Sequence, residues 1–314
     1  MIIRILLILA IFYSLAMGDE FPSEMNLGPY EGKIIRSIEI VRKNVFENGD
    51  SELPFYFRWA NKIHILTRQS VIEGELLFSV GDSLDMEKVI ESARNLRLRK
   101  FIGEVEISAA ANGADSVDLT VTTHDNWTTK IATFLESGGG SYLYGAAIAE
   151  DNLLGYGRAI DISASFSEDN DGYAIYFNED RLGRTRWSGN FLYSNYTLSD
   201  VFNARIHRPQ YSLDVPIGAS FSYNRTDGIS RLYSGGTEFF RYHRLYNSLE
   251  LNSNYSIGKE KRVNIFAAYN FDDYDYSEYY SGTVLNDIFI PKDERYSYPS
   301  LGFGGAIIRV SKFP

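Results

Sequence analysis

The sequence predicts an exported two-part chain: a small α+β domain followed by the wall of an antiparallel transmembrane β-barrel. Three observations predict it. The chain opens on a short apolar run behind Arg4. Its front third mixes helical and strand periods. Its remainder alternates apolar and polar residues almost throughout and is rich in tyrosine, with 20 of the 23 tyrosines after residue 130. A break of this kind marks two structural regimes.

Composition narrows the classes. The 314 residues contain no cysteine, which excludes a disulfide framework, a Cys-ligated metal and a lipoprotein anchor. The net charge of −10 argues against nucleic acid, which needs a basic surface. An acidic chain still suits a membrane if its lipid-facing side chains are uncharged.

At the start, Ile5 to Leu15 form an apolar stretch too short for an easy helical span. Ser14-Leu15-Ala16 and Ala16-Met17-Gly18 follow as small-residue cleavage sites. Residues 1–18 therefore read as a secretory signal peptide, with an uncleaved anchor as the alternative.

The front domain is expected over residues 33–126. Ile34, Ile38 and Ile40 lie in a β-branched run from Lys33 to Arg42, a strand. An insert from Lys43 to Thr67 carries the Phe55-Tyr56-Phe57-Arg58-Trp59 cluster. Arg68 to Leu77 has Val71, Ile72, Glu75 and Leu76 at helical spacing. Gly81 breaks the chain, and Asp82, Ser83 and Asp85 each suit an N-cap. Val89, Ile90, Ala93, Leu96 and Leu98 then mark a second helix. Val105 and Ile107 alternate with Glu104, Glu106 and Ser108. Asn112-Gly113 is a hairpin turn signal, after which Val117, Leu119 and Val121 alternate up to Thr123. The order is β-α-α-β-β.

Residues 128–314 are expected to form the barrel wall. A transmembrane strand needs ~9–11 residues with lipid and lumen faces alternating. Ile160, Ile162, Ala164 and Phe166 oppose Asp161, Ser163 and Ser165. Tyr173, Ile175 and Phe177 oppose Ala174 and Asn178, and Trp187, Phe191 and Tyr193 oppose Ser188, Asn190 and Ser194. Leu249, Leu251, Tyr255 and Ile257 oppose Ser248, Glu250, Asn252 and Asn254. Val263, Ile265, Ala267, Tyr269 and Phe271 oppose Asn264 and Asn270. A soluble β-sandwich would alternate in the same way. The export signal, the aromatics at segment ends and the neutral polar faces favour the barrel.

Two groups of residues carry a resemblance to a known family. In the front domain they are Val80-Gly81-Asp82-Ser83-Leu84, Glu91-Ser92-Ala93-Arg94-Asn95-Leu96-Arg97 and Phe101-Ile102-Gly103-Glu104-Val105-Glu106-Ile107. With the element order, they resemble a POTRA domain of the Omp85 (BamA/TamA) superfamily. In the second region, Glu150-Asp151-Asn152-Leu153-Leu154-Gly155-Tyr156-Gly157-Arg158 resembles the turn between the second and third barrel strands of that superfamily. Arg208-Pro209-Gln210-Tyr211-Ser212-Leu213 is similar to members with few POTRA repeats. The barrel-turn candidates are thus Glu150, Asn152, Leu153, Leu154, Gly155 and Gly157.

The resemblance implies a periplasmic POTRA domain and an outer-membrane barrel of sixteen strands. It implies insertion of outer-membrane proteins or translocation of polypeptides, with no cofactor and no enzymatic chemistry. Expected partners are unfolded outer-membrane or secreted polypeptides, outer-membrane lipid and accessory assembly proteins. The candidate client-binding edge is Gly103, Glu104, Val105, Glu106, Ile107 and Ser108, where backbone pairing would capture an extended client. About ten or eleven candidate strands follow residue 128 at ~10 residues each. The family's Arg-Gly-Phe or Arg-Gly-Tyr loop motif is absent, and the chain closes on Phe313-Pro314. These departures predict a chain lacking its last third. The competing readings are a passive porin or surface protein, and a non-functional fragment.

Other chemistry finds no support. His64, His124, His207 and His243 show no metal-ligand spacing. Asp272-Asp273-Tyr274-Asp275-Tyr276-Ser277-Glu278 reads as a solvated loop rather than a cation site. No Gly-x-Ser-x-Gly nucleophile motif occurs.

Overall fold

A computed structural model describes residues 27–46, 61–138, 141–183, 185–212, 214–258, 261–279 and 289–307. The expected signal peptide, the Phe55–Trp59 cluster and Phe313-Pro314 lie outside the described residues. Contacts divide the chain into two compact units. One combines Ala10–Lys130 with the short stretch Ala149–Ala159. The other holds Ile131–Ile148 and Ile160–Val310, with small terminal pieces assigned to each.

In the front unit the order is β1 (Ile34–Lys43), α1 (Gln69–Glu75), α2 (Met86–Arg97), β2 (Ile102–Ala111) and β3 (Ser116–Asp125). The sheet order is β1-β3-β2, with β1 parallel to β3 and β2 antiparallel to it. The central strand alternates strictly. Val117, Leu119 and Val121 are buried, while Ser116, Asp118, Thr120 and Thr122 lie on the other face. Ile35, Ile72, Val89, Ala93, Leu96, Phe101, Val105 and Ile107 complete the core. Burying each of the larger of these side chains contributes about 1.5–3 kcal/mol.

Of the three possible caps, Asp85 takes the role, accepting from the backbone N–H of Glu87 at 3.0 Å and of Lys88 at 3.4 Å. Helix α1 is shorter than the pattern from Arg68 to Leu77. Its Glu75 is buried rather than solvated, held by Arg99 at 2.8 Å. A buried carboxylate needs such a partner. Leu98, expected on the core face, is 73% exposed. It caps the C-terminus of α2, its N–H still donating to Arg94 O at 3.0 Å.

The second unit is built on a ten-stranded sheet, β4 to β13, whose spatial order follows the chain without a crossover. The strands are β4 (Thr129–Gly138), β5 (Ser141–Glu150), β6 (Arg158–Ser167), β7 (Gly172–Glu179), β8 (Ser188–Tyr196), β9 (Ser199–Arg208), β10 (Ile217–Ser234), β11 (Thr237–Ile257), β12 (Lys261–Glu278) and β13 (Glu294–Ile307). From β7 to β13 each strand pairs antiparallel with the next. Among the described residues the edge strands β4 and β13 are not paired to each other, so the sheet is open there.

Strands β10, β11 and β12 run 18, 21 and 18 residues, about twice the expected length. The acidic stretch from Asp272 to Glu278, expected as a loop, is the end of β12. Its charges are accommodated because they lie beyond the apolar part of the strand. Among the described residues no helix is long and apolar enough to cross a membrane, which says nothing of strands.

Candidate functional site

Three features carry chemistry, beginning with the two faces of the large sheet. Side chains alternate across a strand, and the registers align them into rows. Ile217, Tyr255, Ile265 and Phe303 form one row of partners; Phe221, Leu251 and Tyr269 another; Ala204, Tyr223, Leu249 and Phe271 a third. The next row on this face is Phe202, Arg225, Asn247, Asp273 and Arg295. Apolar character therefore stops in register across neighbouring strands, and Arg295 Nε meets Asp273 Oδ1 at 2.8 Å where it stops. On β11 the apolar stretch runs from Leu249 to Ile257. That is about nine residues or about 27 Å of strand at ~3.4 Å each, close to what a tilted transmembrane strand requires.

The first two apolar rows are exposed, and the third is half-buried. Leu251 is 46% exposed, whereas Ser248 and Ser256 of the same strand are buried. The opposite face carries a polar ladder. Asn203 donates to Asn224, and Asn224 Nδ2 to Ser248 Oγ at 3.1 Å. Tyr246 Oη donates to Asp272 Oδ1 at 2.8 Å, and Ser256 Oγ to Asn264 Oδ1 at 2.6 Å. Arg205, His207, Gln210, Asn252 and Asn254 help line a cavity of about 570 Å³. This is the reverse of a water-soluble sheet, which buries its apolar face.

The second feature is the turn after β5, which folds into the front unit. Glu150 organises its entry, accepting from Thr129 Oγ1 at 2.6 Å and from the Asn152 N–H at 2.7 Å. Asn152 is buried and works in both directions. Its Nδ2 donates to Thr67 Oγ1 at 2.9 Å, and its Oδ1 accepts from the Gly157 N–H at 2.8 Å.

Leu153 opens a single 3-10 turn, and Leu154 sits at φ 56°, left-handed backbone that L-residues avoid. Gly155 (φ 76°) accepts at its carbonyl from the Arg68 N–H at 2.8 Å. A Cβ at Gly155 would stand 2.5 Å from Leu66 O, and one at Gly157 2.7 Å from the buried Phe101 ring. Both glycines are thus required by close approach as well as by positive φ.

Around the turn, Arg68 Nε donates to Leu154 O at 3.1 Å, and its guanidinium lies 4.0 Å from the centre of the Tyr156 ring. Thr67 in turn donates its N–H and hydroxyl to Asp125 Oδ2 at 2.7 and 3.0 Å. His64 Nε2 meets the same oxygen at 2.9 Å. Of the turn candidates, Asn152, Leu154, Gly155 and Gly157 touch the front domain through their own atoms. Glu150 closes the entry, Leu153 supplies the turn, and Leu154 contributes its carbonyl. Sequence reasoning missed Thr67, Arg68 and Asp125. No local pattern marks them, because their partners lie far away in the chain.

The third feature is strand β2. Among the described residues it pairs only with β3, so Gly103, Glu104, Val105, Glu106, Ile107 and Ser108 lie on an edge of the front sheet. Glu104, Glu106 and Ser108 are exposed, whereas the Val105 and Ile107 side chains are buried.

Among the described residues no group of three or more His, Asp or Glu is placed to hold a metal ion.

No protein-family model matches the sequence, and no curated protein matches it. Among solved structures the chain is similar to BamA from Haemophilus ducreyi lacking POTRA domains 1-3. That likeness has a TM-score of 0.43 and 17% sequence identity, over 78% of this chain and 51% of the other. It is also similar to CdiB from Acinetobacter baumannii (TM-score 0.43, 14% identity, 90% of this chain and 54% of the other). CdiB from Escherichia coli gives a TM-score of 0.38 and 13% identity over 90% and 54%. The chain spans about half the length of these structures.

Proposed function

We propose that the chain is an outer-membrane protein of the Omp85 type, which assembles outer-membrane proteins or translocates polypeptides. The ten strands would form part of a barrel wall in lipid. Residues 33–126 would be a POTRA domain in the periplasm, with residues 1–18 the export signal. The reading carries binding and templating of unfolded polypeptide clients, with no enzymatic step and no cofactor.

One observation carries it. The sheet exposes two of its three apolar rows and buries serine on the other face, and a charged row bounds the apolar rows. In water, each exposed apolar side chain would forfeit about 1.5–3 kcal/mol of burial. In acyl chains the same face is the stable one, and the polar face suits a wet lumen. The family resemblance of the turn and front-domain motifs adds the client-handling role. The polar ladder and its cavity favour one competitor, a passive pore, which steady conductance without effect on client folding would distinguish.

The test uses backbone pairing at β2. Proline is tolerated on an edge strand where its missing N–H faced solvent. The Ala109 N–H points away from β3, and the Ala110 N–H points toward it. Reconstituted in liposomes, the protein should accelerate the folding of an unfolded outer-membrane barrel. Ala109→Pro should keep the front domain folded and lose most of that acceleration, whereas Ala110→Pro should melt the front sheet. Full acceleration by a folded Ala109→Pro variant would remove the client-handling role.

A further inference from the structure

The free edge of β2 is occupied by a side chain of its own domain. The Asn112 N–H donates to Ser116 O at 2.9 Å and closes the β2–β3 hairpin. From there to Glu104 the register runs without a shift. In an antiparallel pair, residues that exchange backbone bonds alternate with residues that do not. Ala110, Ser108 and Glu106 therefore turn their N–H and C=O toward β3. Ala109, Ile107 and Val105 turn theirs to the open side. At that open side Arg97, the last residue of α2, donates from Nη2 to Val105 O at 3.0 Å. The guanidinium stands where the N–H of an added strand would have to come.

Two further residues shape what is added. Glu104 and Glu106 are exposed and project from one face of the same edge. A strand laid on β2 would place every second side chain beside them, and like charges directly opposite are destabilising.

We propose that Arg97 is a displaceable cap on the β2 edge, and that the segments displacing it carry basic side chains beside Glu104 and Glu106. This rests on the reading of β2 as the client edge. Such a cap blunts an edge that would otherwise pair indiscriminately. It makes client binding a competition between one side-chain donor and a run of backbone donors, which an isolated short contact loses and an extended segment wins.

The experiment uses the whole protein in lipid nanodiscs and two labelled peptides of equal length, one alternating valine with lysine and one valine with glutamate. Fluorescence anisotropy should show the lysine peptide binding about tenfold more tightly than the glutamate peptide. Arg97→Met keeps the aliphatic stem and removes the donor. It should tighten both peptides about tenfold, because the cap is lost whatever the peptide's charge.

Tightening of the lysine peptide alone would mean that Arg97 acts only as a charge, and no tightening of either would mean no cap; both outcomes overturn the proposal. Equal affinity of the two peptides for the unaltered protein would overturn its charge selection. Failure of every variant to bind either peptide would instead sink the client edge itself. Amide exchange at Glu106 and Ser108, whose N–H groups bond to β3, reports whether the ladder survives. Should Arg97→Met melt it, Arg97→Leu, which also carries an aliphatic side chain and no donor, carries the same expectation for both peptides.

Discussion

At the scale of single residues, the front domain holds its charges by short polar chains. Asp118 lies on the solvent face of β3, yet Ser37 Oγ donates to its Oδ1 at 2.6 Å and Asn112 Nδ2 donates to its Oδ2. Arg36 in turn donates to Asn112 Oδ1 at 2.6 Å. These donors, Ser37 first, hold the Asp118 carboxyl below its ordinary value of 3.8, against an opposing desolvation. A carboxyl with a depressed folded-state pKa stabilises the fold above its unfolded value, and that contribution is lost as pH falls through the folded value. Acidification below about 3.8 should therefore loosen the β2–β3 hairpin. Carboxyl NMR titration should place Asp118 below an unperturbed aspartate. Ser37→Ala should move it upward; no movement would show that the hydroxyl does not hold it.

At the scale of elements, the turn after β5 shows how much depends on one amide. Asn152 bonds at both ends of its side chain inside the front unit. Asn152→Ala would leave the Gly157 N–H unsatisfied and remove the donor to Thr67. Each buried group left unpaired costs about 1–3 kcal/mol. The variant should lose protection against amide exchange at Gly157 and gain proteolytic sensitivity between Glu150 and Arg158. Unchanged exchange would mean that the turn is held by Arg68 and Glu150 alone.

Legibility followed the same division. The β-α-α-β-β order was readable, because alternation and capping are local. The capping aspartate was one of three equivalents, and only the chain path to Glu87 and Lys88 chose Asp85. The exposure of Leu98 was unreadable, since it depends on where α2 ends. The turn residues were singled out from a motif, but their contacts were invisible. Asn152 and Thr67 are 85 residues apart, and no local pattern encodes such a meeting.

For the molecule as a whole, the two-faced sheet predicts where charge is tolerated. Leu251 lies in the middle of the exposed apolar rows, and its neighbour Asn252 on the polar face. A lysine at the bilayer midplane costs about 2–4 kcal/mol on a lipid-facing position and little on a lumen-facing one. Urea unfolding from liposomes should show Leu251→Lys destabilised by about that amount and Asn252→Lys by less than about 1 kcal/mol. Equal effects would mean that the two faces meet the same solvent. Protein that stayed monomeric in water without detergent, and did not partition into liposomes, would remove the membrane reading altogether.

The amino-acid order by itself determined the type and order of the front elements, the two-sided character of the strands and the break near residue 130. Those follow from periodicities of two and 3.6 residues, which each segment carries alone. Only the tertiary structure decided three further things. It brought the end of the apolar stretch into one row across neighbouring strands, because register is a property of pairs. It set Thr67, Arg68 and Asp125 around Asn152 and Gly155, because chain reversal brings distant residues together. It turned the Val105 carbonyl to the open edge under Arg97, because the direction of a backbone group depends on which partner the strand already has.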